Sequence, residues 1–240
     1  MNYSKVDSYS KHRHVQHNAA LQTLSLLDGH WRDGDVVLDV GCGTGDETKM
    51  IAEMDNVSSV IDVDVLTQMI EYAKKHNKIT GKMEYLHADV CTLVEDHPQL
   101  CNRFTKVVSF FCFHRFENQK DALKNVYACL SDGGECAIHV VYKSAAKDTN
   151  KQMNRHEKWK HQLQGFNDGL YMFPGSPEEF AESVRECGFT EVKCYSGDMT
   201  IIYSAEQMKG NSMNTLSYFD NISNTTREFL LIRSYDVHAA

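Results

Sequence analysis

The sequence predicts an α/β protein whose doubly wound, mostly parallel sheet is covered by helices on both faces. Three observations carry this expectation. Short apolar runs alternate with helix-period stretches across residues 36–141, as parallel strands buried on both faces require. The first run ends in a glycine turn, Gly41-Cys42-Gly43-Thr44-Gly45, and an acid, Asp64, closes the second. The 240 residues are 42% hydrophobic and 24% charged, enough for a full core of ordinary globular composition.

Taken in order, residues 11–27 read as a helix, because Ala20, Leu24 and Leu27 recur at helical spacing. Gln16 falls on the same stripe, either as a satisfied core amide or as a polar group aimed into a pocket. Residues 36–40 form the first strand. Asp46 and Glu47 open a helix continued by Met50, Ile51 and Met54. Residues 59–64 form the second strand, before a helix carrying Met69, Ile70 and Ala73. Third and fourth strands are expected over 83–87 and 106–111, followed by a helical stripe of Leu123, Val126, Tyr127 and Leu130. Asp132-Gly133-Gly134 makes a turn into a fifth strand over 136–141. Residues 144–175 are a more polar insertion with a helix around 150–163. Ser176-Pro177-Glu178-Glu179 is a helix start, with a capping serine, proline at the first position and glutamate three residues after the cap. Two strands are expected over 191–194 and 199–203. Beyond residue 205 the only apolar run, 229–232, is short for a closing strand.

Composition narrows the function. The formal charge is -8 and the basic residues are dispersed, which argues against a nucleic-acid partner. Lys143 to Lys160 reads as a solvated face. No apolar stretch approaches the roughly 20 residues that span a bilayer. Residues 1–20 lack the apolar core of a secretory signal, so no membrane partner and a cytoplasmic location are expected. The 8 cysteines form no Cys-x-x-Cys pair and read as reduced thiols. His12, His14 and His17 form no ligand set with distant Cys or His, and no metal is expected.

Parallel sheets bind ligands beyond the C-terminal ends of their strands, where the glycine turn, Asp64, Asp89 and residues 112–116 converge. The turn reads Gly-x-Gly-x-Gly, with Asp46 where a dinucleotide fingerprint has Gly or Ala. Asp46 and Glu47 would repel a pyrophosphate, whereas a sulfonium nucleoside brings positive charge and no phosphate. The turn therefore favours S-adenosyl-L-methionine over NAD. Asp64 lies nineteen residues past Gly45, close to the roughly 20-residue offset of an acid that holds ribose hydroxyls. Asp62, on the same strand, is its rival. Asp89 stands where a carboxylate can accept from an adenine amino group. The expected cofactor residues are Asp39, Gly41, Cys42, Gly43, Gly45, Asp64, Val65, Met69, Asp89 and Val90.

Val37-Leu38-Asp39-Val40-Gly41-Cys42-Gly43-Thr44-Gly45, Asp64, His87-Ala88-Asp89-Val90 and Leu130-Ser131-Asp132-Gly133-Gly134-Glu135 resemble class I S-adenosylmethionine-dependent methyltransferases, which are Rossmann-like. A finer resemblance is to the arthropod juvenile hormone acid O-methyltransferases. It is carried by Val108-Ser109-Phe110-Phe111-Cys112-Phe113-His114, Gln119, Ala122-Leu123 to Tyr127, Lys158-Trp159 and Gly188-Phe189. It covers roughly residues 8–204. The resemblance implies a single methyltransferase domain over 1–240. Its core spans 36–143, acceptor-side elements span 8–30 and 144–188, and the segment 205–240 stays unassigned. The N-terminal helix and the 144–175 insertion would cap the core.

The implied acceptor is a small carboxylic acid of terpenoid or fatty-acid type, and the product a methyl ester. A carboxylate is ionised at neutral pH and needs no general base; alignment and exclusion of water remain as the protein's tasks. Gln16 matches a family glutamine that holds the acceptor carboxylate. His114 would orient the acceptor or act as a base for another substrate. Phe110, Phe111, Phe113 and Phe116 either line an apolar pocket or belong to the core. Arg115 stands where the family has tryptophan; it is either a bidentate carboxylate partner or a surface residue. Arg115 and the C-terminus keep two alternatives open: a non-catalytic cofactor-binding or interaction module, and a methyltransferase for another small acceptor. A homodimer is left open.

Overall fold

The computed structural model describes residues 6–11, 13–144, 147–148, 151–152, 155–157, 169–202 and 224–235. Strands β1 (Asp35–Val40), β2 (Val57–Asp64), β3 (Met83–His87), β4 (Phe104–Ser109) and β5 (Leu130–Ser144) run parallel. With β6 (Thr190–Ile202) and β7 (Asn224–Tyr235) they form a seven-stranded sheet in the order β3-β2-β1-β4-β5-β7-β6. The order reverses between β1 and β4, so a crevice opens above their C-terminal ends.

Helices α1 (Val6–Lys11), α2 (His14–Ser25), α3 (Asp46–Ala52), α4 (Thr67–His76), α5 (Leu93–Asp96), α6 (Gln119–Cys129) and α7 (Pro177–Arg185) accompany the sheet. Side-chain parity along β1 sorts them. Leu38 and Val40 join a core with Leu123 and Val126 of α6 and Phe180 and Val184 of α7. Val37 joins a second core with Ala20 of α2, Ile51 of α3 and Ile70 of α4. The doubly wound architecture read from the sequence is thus present, and α7 carries the expected capping box. The Ser176 hydroxyl accepts from the Glu179 backbone N–H at 3.2 Å, and the Glu179 carboxylate accepts from the Ser176 N–H at 2.6 Å.

Four boundaries differ from the sequence reading. The helix expected over 11–27 is the shorter α2, His14–Ser25, and a separate α1 precedes it. The fifth strand begins at Leu130 and absorbs the Asp132-Gly133-Gly134 turn as an irregularity opposite Phe104 to Lys106. A Cβ at Gly134 would lie 2.9 Å from the Phe104 carbonyl, so only glycine lets the strands pair there. The two strands expected over 191–194 and 199–203 are one continuous β6. The short run at 229–232 is the middle of the twelve-residue β7, antiparallel to both β5 and β6. The helix expected around 150–163 lies largely outside the described residues.

At the opposite end of the sheet, Lys106 is buried between Asp35 at 3.6 Å and Glu135 at 3.7 Å. His30 meets Glu135 at 3.1 Å. This pairing seats the segment after α2 at the start of β5, so α2 runs antiparallel to β5 and carries Gln16 towards the crevice.

Candidate functional site

The crevice above β1 and β4 is a cleft lined by Tyr9, Gln16, Asp39, Gly41, Cys42, Gly43, Thr44, Glu47 and Phe110. Elements distant in sequence therefore meet: α1 and α2 supply Tyr9 and Gln16, β1 supplies Asp39, and Phe110 follows β4. Gln16 Oε1 and Asp39 Oδ1 are buried there with no hydrogen-bond partner among the described residues. Buried polar atoms are almost always paired, so both mark a place where a ligand can donate.

The three glycines of the turn all have positive φ, 80° at Gly41, 56° at Gly43 and 76° at Gly45, a region costly to residues with a Cβ. They serve different ends. A Cβ at Gly41 would strike the Cys112 thiol, and one at Gly45 would lie 2.5 Å from the Tyr85 hydroxyl. At Gly43 the nearest atom would be Tyr9 at 3.8 Å. Packing thus dictates the outer two, and among the three only the middle glycine has room for a Cβ.

Asp64 secures the turn. One carboxylate oxygen accepts the Gly43 N–H at 2.9 Å, the other the Leu66 N–H at 2.8 Å. Burial raises its pKa, and these two backbone donors work against the rise. Asp62 stands apart from that role. It is fully buried mid-strand, in register with Asp39 on one side and Tyr85 on the other. Both its carboxylate oxygens lack a partner among the described residues, and burial pushes its pKa well up. Asp39 accepts from the Thr48 hydroxyl at 2.6 Å; burial, then the nearby Glu47 and Asp64 charges, raise it to about 7 against that bond.

The acidic turn is not bare. Arg13 Nε lies 3.1 Å from Asp46, its Nη1 bonds Glu47, and His17 Nδ1 is 3.3 Å from Glu47. This pairing fastens α2 over the turn and compensates its charge. Repulsion of a pyrophosphate is therefore weaker than the sequence alone suggests. His12 lies outside the described residues, and among those described no three His, Cys, Asp or Glu side chains could hold a metal ion. All eight cysteines are free thiols. No helix among the described residues is long and apolar enough to cross a membrane.

Of the other expected cofactor residues, Met69 and Val90 are buried, and Val65 and Asp89 are exposed. The Asp89 carboxylate caps the turn after β3 by accepting the Cys91 N–H at 2.9 Å. None of these four, nor Asp64, lines the cleft itself.

The acceptor-side residues sit on the turn after β4. His114 is buried, and its carbonyl accepts the Tyr171 N–H at 2.8 Å. The Arg115 Nη1 donates to the Gly169 carbonyl at 3.3 Å, and the Gln119 amide donates to the Phe113 and Tyr171 carbonyls at 3.1 and 2.7 Å. Arg115 and Gln119 thus clamp residues 169–171 against this turn. Phe113 and Phe116 pack edge to face in the core, Phe110 lines the cleft, and Phe111 stands edge-on to His114 at 5.1 Å.

Residues 37–134 match a family model described as a methyltransferase domain. The sheet and its helices have the class I, Rossmann-like methyltransferase fold. The chain is similar to the juvenile hormone acid O-methyltransferase of Drosophila melanogaster, 29% identical over 67% of this chain and 57% of that protein. It is also similar to the enzyme of the same name from Bombyx mori, 24% identical over 95% of this chain and 84% of that protein. The chain therefore spans little more than half the length of the Drosophila relative. Among solved structures, a phosphoethanolamine N-methyltransferase of Haemonchus contortus, holding phosphomonomethylethanolamine and S-adenosylhomocysteine, shares the fold. It aligns with a TM-score of 0.64 at 16% identity, over 99% of this chain and 59% of that one.

The chain carries three groups near the cleft that the sequence reading passed over. Tyr9 and Arg13 precede the stripe from which α2 was recognised. His139 hides in the apolar run of β5, fully buried, its ring 5.4 Å from Phe111. Its parity with Ala137, which packs on the α2 side, was the signal available.

Proposed function

We propose that this methyltransferase transfers the methyl group of S-adenosyl-L-methionine to a small carboxylic acid of terpenoid or fatty-acid type, giving a methyl ester. The observation that carries the reading is the cleft. A glycine turn held by Asp64 faces Asp39, whose partnerless buried oxygen suits the ammonium and sulfonium end of this cofactor, with Gln16 alongside. Bound there, the cofactor supplies an electrophilic methyl carbon. Asp64 would hold the ribose, Gly43 would leave room for the ligand backbone to approach, and Met69, Val65, Asp89 and Val90 would flank the nucleoside.

The relatives' names supply the acceptor class: both methylate, by name, a hormone acid. Gln16 offers a donor and an acceptor to whatever fills the cleft beside the sulfonium, and its N–H can hold an acceptor carboxylate. His114 and Arg115, on the clamped turn after β4, would shape the far side of that acceptor. The reaction needs no general base, because a carboxylate attacks already ionised; in-line alignment and exclusion of water are what remain for the protein. Two features favouring a non-catalytic module lose weight. Arg115 has a place in the clamp, and the C-terminal segment contributes a full strand.

The test is incubation with methyl-labelled S-adenosyl-L-methionine and a panel of terpenoid and fatty acids, read as labelled ester. Esterification of at least one such acid is expected. Cofactor binding with no product from the panel, and product from an amine or phenol, would overturn the acceptor assignment.

A further inference from the structure

Asp39 and Asp62 face each other across the β1–β2 pair in direct register, on strands whose spacing is about 4.8 Å. Both are essentially without exposure, and three of their four carboxylate oxygens have no hydrogen-bond partner among the described residues. Asp39 lines the cleft, whereas Asp62 lies behind it. Two carboxylates this close in a dry interior cannot both ionise cheaply, since desolvation and like charge both oppose it.

The groups around the pair add little positive charge. From α3 come Glu47 and the Thr48 hydroxyl, from the end of β2 Asp64, from the glycine turn Cys42 and Asp46, and from β3 the Tyr85 hydroxyl. Arg13 and His17, on the α2 side, are engaged with Asp46 and Glu47.

We propose that Asp39 and Asp62 share one proton in the ligand-free protein and release it to solvent when the cationic end of S-adenosyl-L-methionine enters the cleft. The O–H bond of the shared carboxyl breaks, the proton passes to buffer, and the ligand's positive charge takes its place beside the resulting carboxylate. No covalent bond to the ligand forms. The upward shifts of both acids, caused first by burial, agree with a pair protonated below neutrality. The inference rests on the cofactor reading above and adds to it: cofactor affinity is set by pH through an acid, Asp62, that the ligand never touches.

The linkage is measurable without turnover. Calorimetric titration of the full chain with S-adenosyl-L-methionine, in two buffers of different ionisation enthalpy, counts the protons exchanged. Approaching one proton released is expected near pH 6, falling towards none above pH 8. Affinity should then rise about tenfold per pH unit below neutrality, as release of one proton requires. Asp62→Asn keeps the side-chain shape while removing the second acid, and should bind with little proton release. Should that variant fail to fold, the wild-type proton count alone decides. Binding by the wild type with no proton exchange between about pH 5.5 and pH 8 overturns the inference and leaves the cofactor reading intact. Unchanged release in a folded Asp62→Asn protein, which would place the proton on Asp64 or His17, also overturns it. Absence of binding at any pH overturns the cofactor reading, and the inference with it.

Discussion

Replacing Asp39 with asparagine should make the protein more stable at neutral pH, and increasingly so as pH rises. Burial raises the Asp39 pKa from its ordinary 3.8 to about 7. Between those values the folded protein holds a proton that the unfolded chain has lost, so folding stability falls as pH increases through that window. The full span of about 3 units corresponds to about 4 kcal/mol at 1.36 kcal/mol per unit, an upper figure because Asp62 shares the burden. From about pH 5 to about pH 8 roughly 3 kcal/mol of it is accessible. Asparagine cannot ionise, and its amide oxygen can still accept the Thr48 hydroxyl that Asp39 holds at 2.6 Å. The variant should therefore lack this component of the slope. Urea denaturation followed by circular dichroism, for both proteins at half-unit pH steps, gives the difference directly. Its growth by about 2–4 kcal/mol in favour of the variant over that range is expected. A difference that stays constant with pH would refute the claim that Asp39 is folded with a proton.

Four further outcomes follow from the same geometry. Gly45→Ala should destabilise by about 3 kcal/mol or more, because φ is 76° and the new Cβ meets the Tyr85 hydroxyl at 2.5 Å. Gly43→Ala should cost only about 1 kcal/mol of stability while weakening S-adenosyl-L-methionine binding, so paired thermal melts and calorimetry separate structural from ligand-facing glycines. Lys106→Met should cost about 3 kcal/mol in chemical denaturation, since it removes the buried cation between Asp35 and Glu135 and leaves them only His30 and neutral donors; a change below about 1 kcal/mol would show that the three groups do not act together. Gln16→Ala should lower kcat for a carboxylic acid at least about tenfold, the worth of one charge-assisted hydrogen bond, with cofactor affinity within about threefold; an equal loss of cofactor affinity would move Gln16 to the cofactor.

Where the sequence was legible, one physical rule sufficed. Strand β3 and the buried face of α4 emerged as read, because Met69, Ile70 and Ala73 obey a single period and all three are buried. The start of α7 was legible because capping is chemistry local to Ser176 and Glu179. β7 was not, because Asn224 to Tyr235 is held by backbone pairing to two neighbours, and its polar residues break the apolar run that a hydrophobic reading looks for. In the site, the glycine turn and Asp64 were legible from spacing, yet spacing could not divide the three glycines into two fixed by packing and one facing the cleft. Nor could it reveal Arg13 as the partner of Asp46 and Glu47. That pairing joins residues more than thirty positions apart and exists only once α2 lies across the turn. Nor could spacing tell how differently the two rival acids sit: Asp62 is buried beside Asp39, while Asp64 at the strand end holds the loop.

The most direct test is crystallisation with S-adenosylhomocysteine, alongside calorimetry against NAD as competitor. Adenosine is expected beside Asp64 and over Gly43, with the amino-acid end beside Asp39 and Gln16, and NAD should not displace it. A cleft left empty at saturating ligand, or preferential binding of NAD, would contradict the assignment of this site to a methyl donor.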